Sequence, residues 1–356
     1  MKLFFDARYT RTDYHDGISR YSAELGNALA KLTPVTFLIC DDAQKKWFPK
    51  TAEFIKIHPG TSIKEPFTAF ILNKYKPDVV YSPMQTIGTL GRTYTSVLTI
   101  HDMIYYRHPS APKFLPWPVR AGWWLYHQMY WPQRLLLKGA DVITSVSETS
   151  AEDLRTAHMT NKPIHVIYNA PQQFATKAKQ KKTIENIVYM GSFMPYKNVE
   201  TLIKAMEWLP GKTLHLLSRI RPERKAELKA LIPDGARVIF YNGVSDEQYE
   251  QLLANNALLA TASYDEGFGI PVAEAMAMGV PVVISDLPIF HEVGGSGALY
   301  FNPSDPRGFA ARVEELDNIQ LRKELIEKSA THVDTFNWDK SAKTLLAAVT
   351  IDNHGH

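Results

Sequence analysis

Ala257–Ser285, ALLATASYDEGFGIPVAEAMAMGVPVVIS, is the stretch on which the fold turns. It opens on an apolar run, ALLATA, that reads as a buried strand. A glycine-bearing loop, Tyr264–Ile270, follows. Pro271 suits the first helical position, because its fixed φ fits there and its missing N–H is not needed. Gly279 ends the helix where a left-handed residue is wanted. VPVVIS then returns as the next strand. The unit is strand, loop, helix, strand, and the helix N-terminus opens at the strand's C-terminal end.

The same alternation runs outward in both directions. Expected strands in the first half are Lys2–Asp6, Val35–Cys40, Asp78–Ser82, Ser96–His101, Asp141–Val146 and Ile164–Asn169. Helical patterns at Ile18–Leu32, Pro66–Tyr75, Val119–Lys138 and Glu148–Ala157 lie between them. A basic, apolar-poor stretch, Thr176–Thr183, reads as part of an interdomain linker. The scheme then restarts, with strands at Asn186–Met190, Thr213–Leu217, Ala236–Tyr241, Ala257–Ala262 and Val280–Ser285. Helices are expected near 199–208, 223–230, 246–254, 271–278, 307–316, 320–332 and 338–349. Continuous apolar strands between helices predict an α/β protein whose parallel sheets are covered on both faces. Two Rossmann-like, doubly wound domains are expected, 1–172 and 173–335, with a closing helical segment, 336–356, packing on the first. Such domains face to face place a ligand in the cleft between them.

A chain of 356 residues, 45% hydrophobic and 22% charged, holds two such cores. Cys40 is the single cysteine, which excludes a disulfide framework and fits a reducing cytoplasm. The apolar run at the N-terminus is too short for a signal peptide. No window approaches the ~20 apolar residues that span a bilayer. A net charge of +3 gives no argument for nucleic acid as a partner.

The loop before Pro271 has the makings of an anion site. Backbone N–H groups and the positive end of the helix dipole point outward there. Gly267 and Gly269 remove side chains that would hold a diphosphate away. Glu266 and Glu274 flank the loop, and a carboxylate accepts well from paired sugar hydroxyls. Two carboxylates beside a phosphate cradle suit a nucleotide sugar better than a bare polyanion. A glycine loop before a helix is common, however, and glutamates usually sit on solvated helix faces.

EGFGIPVAEAMAMGVPVV resembles the signature of the group-1 (family 4) retaining glycosyltransferases of GT-B fold. DGISRYSAEL (Asp16–Leu25), TIHD (Thr99–Asp102), VIYNAP and GSFMPYKN resemble further motifs of that family in the same order. The resemblance implies that Glu274 holds the ribose hydroxyls and Glu266 the transferred hexose. It implies that Gly267, Phe268, Gly269 and Ile270 meet phosphate and sugar through their backbone. Lys197 would neutralise the diphosphate, and His101 would contact the hexose from the opposite domain. Gly17, Tyr21 and Asp102 fall on the acceptor side. Asp102 either orients His101 or caps the next turn. Where the family often carries an arginine, this chain has Ser192; Arg219 or Arg221 would have to supply the second cation.

No cofactor and no metal is expected, the nucleotide sugar being a substrate. The expected reaction is retaining hexosyl transfer to a glycan or lipid-linked acceptor, with GDP-mannose the preferred donor. UDP-glucose or UDP-N-acetylglucosamine are alternatives. So are a sugar-nucleotide isomerase and a non-catalytic binding protein. The first βα loop, DARYTRTDYHDG, lacks GxGxxG, which argues against a single-domain dehydrogenase.

Trp117, Trp124 and Trp131 stand seven apart, and Arg120, His127 and Arg134 repeat that spacing. On one helix over 119–138 the two series form adjacent stripes. An aromatic and basic face suits an anionic membrane surface, which predicts a peripheral enzyme on the inner face of the cell membrane. Burial of the same tryptophans under the first sheet is the competing expectation.

Overall fold

The structure, a computed structural model, describes residues 1–111, 115–178 and 181–351. Of the expected linker, Lys179 and Gln180 lie outside the described residues, as does the closing segment from Asp352 onward. The chain divides into two compact units. One is Met1–Asn169 with Asn337–His356; the other is Ala170–Phe336.

The first unit holds strands β1 (Leu3–Asp6), β2 (Val35–Ile39), β3 (Glu53–Lys56), β4 (Val79–Ser82), β5 (Thr95–Ile100), β6 (Val142–Ser145) and β7 (Ile164–Val166). They pair in parallel in the order β3-β2-β1-β4-β5-β6-β7. The second unit holds β8 (Asn186–Tyr189), β9 (Thr213–Leu216), β10 (Arg237–Phe240), β11 (Ala257–Thr261), β12 (Val282–Ser285) and β13 (Leu299–Phe301). Their parallel order is β10-β9-β8-β11-β12-β13. Runs such as LFFD, VVYS and ALLAT are buried along their whole length, as strands covered on both faces require. Each order reverses once, between β1 and β4 and between β8 and β11. Ligands of doubly wound sheets bind beyond the strand ends at such a reversal.

Two strands lie outside the expected set. EFIK at β3 exposes its end residues Glu53 and Lys56. LYF at β13 is only three residues long. Both are sheet edges, where the apolar run that marks a central strand is not needed.

One expected helix, 119–138, is two: Trp117–His127 and Trp131–Lys138. Pro132 explains the break. It has no N–H for the Gln128 carbonyl and its ring crowds that carbonyl, but it fits the first turn of a new helix. The tryptophan and basic series therefore do not form stripes on one continuous helix.

The end of β1 leads into a buried charge cluster. Arg8 gives Nε to Asp6 Oδ1 (2.7 Å) and Nη2 to Asp6 Oδ2 (2.9 Å). Its two Nη groups also reach both oxygens of Glu65, at 2.7 and 2.8 Å. All three residues are buried. Burial alone would discourage the charged guanidinium, but the two carboxylates hold its pKa above the ordinary value. Beside it, buried Gln44 donates to the carbonyls of Ala7, Arg8 and Thr10 and accepts from Cys40 and Asp41.

The last helix, Trp338–Ile351, belongs to the first unit. Ser341 Oγ donates to the Tyr168 carbonyl (2.8 Å), and Asp339 pairs with Lys31 (3.0 Å).

Candidate active site

In the second unit the helix Ile270–Ala277 begins one residue before Pro271, and Gly269 is its N-cap. Gly269 has φ +89°, and a Cβ there would come 2.8 Å from the Phe290 ring. The glycine is thus required by its left-handed backbone and by close packing. Gly269→Ala should destabilise the fold by about 1–3 kcal/mol, read as a lower urea midpoint at unchanged slope. Gly279, at φ +76°, closes the helix. Its N–H reaches the Met276 carbonyl and that of Val280 reaches Ala275, a paired C-terminal cap.

Val272 and Ala273 both donate to the Gly269 carbonyl, and Pro271 has no N–H. The N-cap Gly269 and the first helical residue Ile270 stand at the helix end, where N–H groups face outward. Phe268 is buried with its ring edge-on to Phe336 (5.2 Å), so it offers a ligand only its backbone. Glu274 is also buried, at 4% exposure.

The loop after β8 carries the second part of the site. Ser218 Oγ accepts from Gly191 N (3.1 Å), and Tyr189 Oη donates to the Ser192 carbonyl (2.6 Å). Asn198 is left-handed at φ 48°. Its Nδ2 donates to the carbonyls of Ala262 (3.0 Å) and Pro303 (2.7 Å). Tyr264 N donates to the Tyr196 carbonyl at 2.8 Å. These bonds stitch the β8 loop to the β11 loop at the point where strand order reverses. As a result Lys197 Nζ lies 2.5 Å from Glu266 Oε1, both side chains largely buried. Ser263 Oγ adds a 3.4 Å bond to the same oxygen, and Nζ sits over the Tyr196 ring. The sequence assigns Lys197 and Glu266 separate tasks; the structure joins them as a pair. Asn198→Gly keeps the left-handed backbone but orphans the Ala262 carbonyl, while the Pro303 carbonyl keeps its bond from Thr201 Oγ1 (2.9 Å). It should cost about 1–3 kcal/mol and weaken nucleotide binding, by calorimetry, more than the equally permissive exposed site Gly211 would when changed to Asn.

The missing arginine has two neighbours. Arg219 is exposed, its chain lying against Gly243, and it follows the Ser218 that binds Gly191. Arg221 caps the helix Pro222–Lys229 from an exposed position. Sequence reasoning missed Arg224. Its Nε donates to the Phe193 carbonyl (3.2 Å), and it pairs with Glu200 and Glu227. In RPERKAELK nothing marks which basic residue turns toward that loop.

In the first unit His101 follows β5. Its Nε2 lies 2.7 Å from the Pro83 carbonyl, so Nε2 carries the proton and Nδ1 is the acceptor. Burial pushes its pKa below the ordinary value. Below about pH 6.5 the unfolded chain protonates first, so stability falls there as pH falls. His101→Gln should flatten that part of a Tm–pH curve. Asp102 Oδ1 accepts from Ile104 N (2.9 Å), which makes it a cap of the following turn.

Two acceptor-side expectations change. Gly17 is not ahead of its helix but is the first residue of Gly17–Ala30, capped by Asp16 through Ser19 N. Tyr21 is fully buried, its hydroxyl 3.0 Å from that of Tyr81, its ring edge-on to His101 and to Trp338. That hydroxyl belongs to an internal chain through Tyr81, Thr99 and Thr144.

Two further expectations concern the tryptophan segment. Trp117, Trp124 and Trp131 are exposed, which overturns their burial under the sheet. Arg134 turns inward, Nη2 donating to the Ala157 carbonyl (2.8 Å) with the guanidinium over Tyr130. Arg120 stays exposed.

Known structures of the same architecture are GT-B glycosyltransferases. Sucrose-phosphate synthase from Thermosynechococcus elongatus superposes with a TM-score of 0.75 at 19% identity, over 96% of both chains. Anabaena HepE, solved with UDP and glucose, gives 0.74 at 17% identity, over 98% of this chain and 99% of that one. The fold is therefore GT-B, built of two parallel-sheet Rossmann-like units.

The family follows from the sequence matches. "Glycosyl transferases group 1" matches residues 171–332, and "Glycosyltransferase Family 4" matches 15–170. The chain belongs to the group-1, family 4 glycosyltransferases. O-antigen chain mannosyltransferase RfbU of Salmonella typhimurium is 25% identical over 91% of this chain and 92% of its own. O-antigen chain mannosyltransferase B of Escherichia coli is 30% identical over 45% of this chain and 44% of its own.

Proposed function

We propose that this glycosyltransferase moves mannose from GDP-mannose to a glycan acceptor, lipid-linked in its native setting, with retention of configuration and without a metal. The observation that carries the reading is the Lys197–Glu266 pair, whose carboxylate residue precedes by three the Gly269 N-cap of the helix Ile270–Ala277. The names of the O-antigen relatives support mannose.

In the proposed reaction the bond from the anomeric carbon to the phosphate oxygen breaks as the acceptor oxygen bonds to the same face. The acceptor proton passes to the departing phosphate. Lys197 and the helix N-terminus stabilise the charge that grows on the diphosphate. Glu266 holds a hexose hydroxyl, and Glu274 holds the ribose. Arg219 supplies the second cation.

The test incubates the protein with GDP-mannose, UDP-glucose or UDP-N-acetylglucosamine, with and without acceptor and with chelator, and reads the product linkage by NMR. An α-mannoside formed with chelator present is expected. Transfer only from UDP-sugars sinks the donor assignment, and a β-mannoside sinks retention. An epimer formed without acceptor would point to isomerase chemistry.

A further inference from the structure

Trp117, Trp124 and Trp131 all lie on the surface of the first unit. The helix Trp117–His127 buries none of its residues. Its inner contacts are made by other rings: Trp123 lies edge-on to Tyr105 at 5.0 Å, and His127 lies 5.0 Å from Tyr106. Trp117 is 78% exposed, Trp124 53% and Trp131 60%. Leu125, Leu135 and Leu136 are exposed with them. Isolated exposed apolar residues need no explanation, but six large ones on two consecutive helices do.

The charges of this segment narrow the choice of occupant. No Asp or Glu lies between Asp102 and Asp141. A segment without carboxylates of its own suits lipid phosphates, and tryptophan favours the bilayer interface, where one part of the ring is apolar and the N–H stays wet. Yet the positive charge is weaker than the sequence promises. Arg134 is turned onto Ala157 and Tyr130, and Arg107 is paired with Asp153 at 2.7 Å. Arg120 and Lys138 are the exposed basic residues of the two helices.

We infer that Trp117–Lys138 is a docking surface for a lipid bilayer that seats by inserting its tryptophans and leucines into the interface, with electrostatic attraction secondary. This goes beyond the transfer reaction and stands separately from it. Insertion of apolar area is nearly insensitive to salt, whereas attraction to anionic lipid is screened within a Debye length.

Flotation of the full chain with phosphatidylcholine vesicles, and with the same vesicles containing phosphatidylglycerol, at low and high salt, tests the inference. The wild type should float with phosphatidylcholine alone at high salt. W117A/W124A should lower partitioning by about tenfold or more. Arg120→Ala should lower it about fivefold, on anionic vesicles only. Both substitutions are at exposed positions, and an unchanged thermal shift with GDP-mannose or GDP confirms folding; should neither nucleotide shift the wild type, the circular dichroism melt serves. Wild type that binds neither vesicle, or only anionic vesicles at low salt, overturns the inference. So does W117A/W124A floating like wild type, or a wild-type dimer that W124A dissociates with no vesicle binding. Docking without any sugar transfer would sink the proposed reaction instead and leave the surface intact.

Discussion

Lys197→Ala is expected to lower the sugar-transfer rate by about 100- to 1000-fold, the usual cost of removing one donor aimed at developing transition-state charge. The ammonium is held in place by two stitched loops, with its partner Glu266 2.5 Å away. Before donor binds, that partner neutralises it. In the proposed reaction a diphosphate gives Lys197 a second anion and frees a Glu266 oxygen for a sugar hydroxyl. The two residues therefore act as a unit, and their losses should not add. Glu266→Gln should cost a comparable factor, and the double variant about the same as the worse single one. Steady-state kinetics with each variant gives the cycle. Fully multiplicative losses would show that the pair is only an ion pair of the empty site.

The largest expected effect on stability is at Arg8. Alanine there leaves Asp6 and Glu65 buried and facing each other without the cation between them. Removing one partner of a buried ion pair costs about 3–5 kcal/mol, far more than the net worth of the pair. Arg8→Ala should lower the urea midpoint of the first unit while leaving that of the second unchanged. Arg8→Lys should recover little, because an ammonium cannot reach four carboxylate oxygens at once. A loss under about 1 kcal/mol would mean that water or protonation relieves the carboxylates.

Much of the architecture was legible because central parallel strands must be apolar on both faces, and ten or so uninterrupted runs carry that mark. The edge strands β3 and β13 carry no such mark and escaped. The helix at Ile270 was legible from Pro271 and Gly279, whose backbone preferences are local. The Lys197–Glu266 pair was not, since its partners are 69 residues apart and meet only through sheet order. Orientation was equally hidden. Tyr21 and Arg134 have the right chemistry for a surface, but Tyr81 and the Ala157 carbonyl claim them from within. A seven-residue tryptophan spacing fixes a side of a helix without saying whether that side faces core or solvent.

The last helix returns to the unit that contains Met1. In genetic terms the second unit, 170–336, is an insertion within the first. On the ribosome the insertion can complete its sheet as soon as it emerges, while the unit that was begun earliest waits for the helix Trp338–Ile351. A premature stop after Phe336 would therefore spare the second unit and leave the first-made one unfinished.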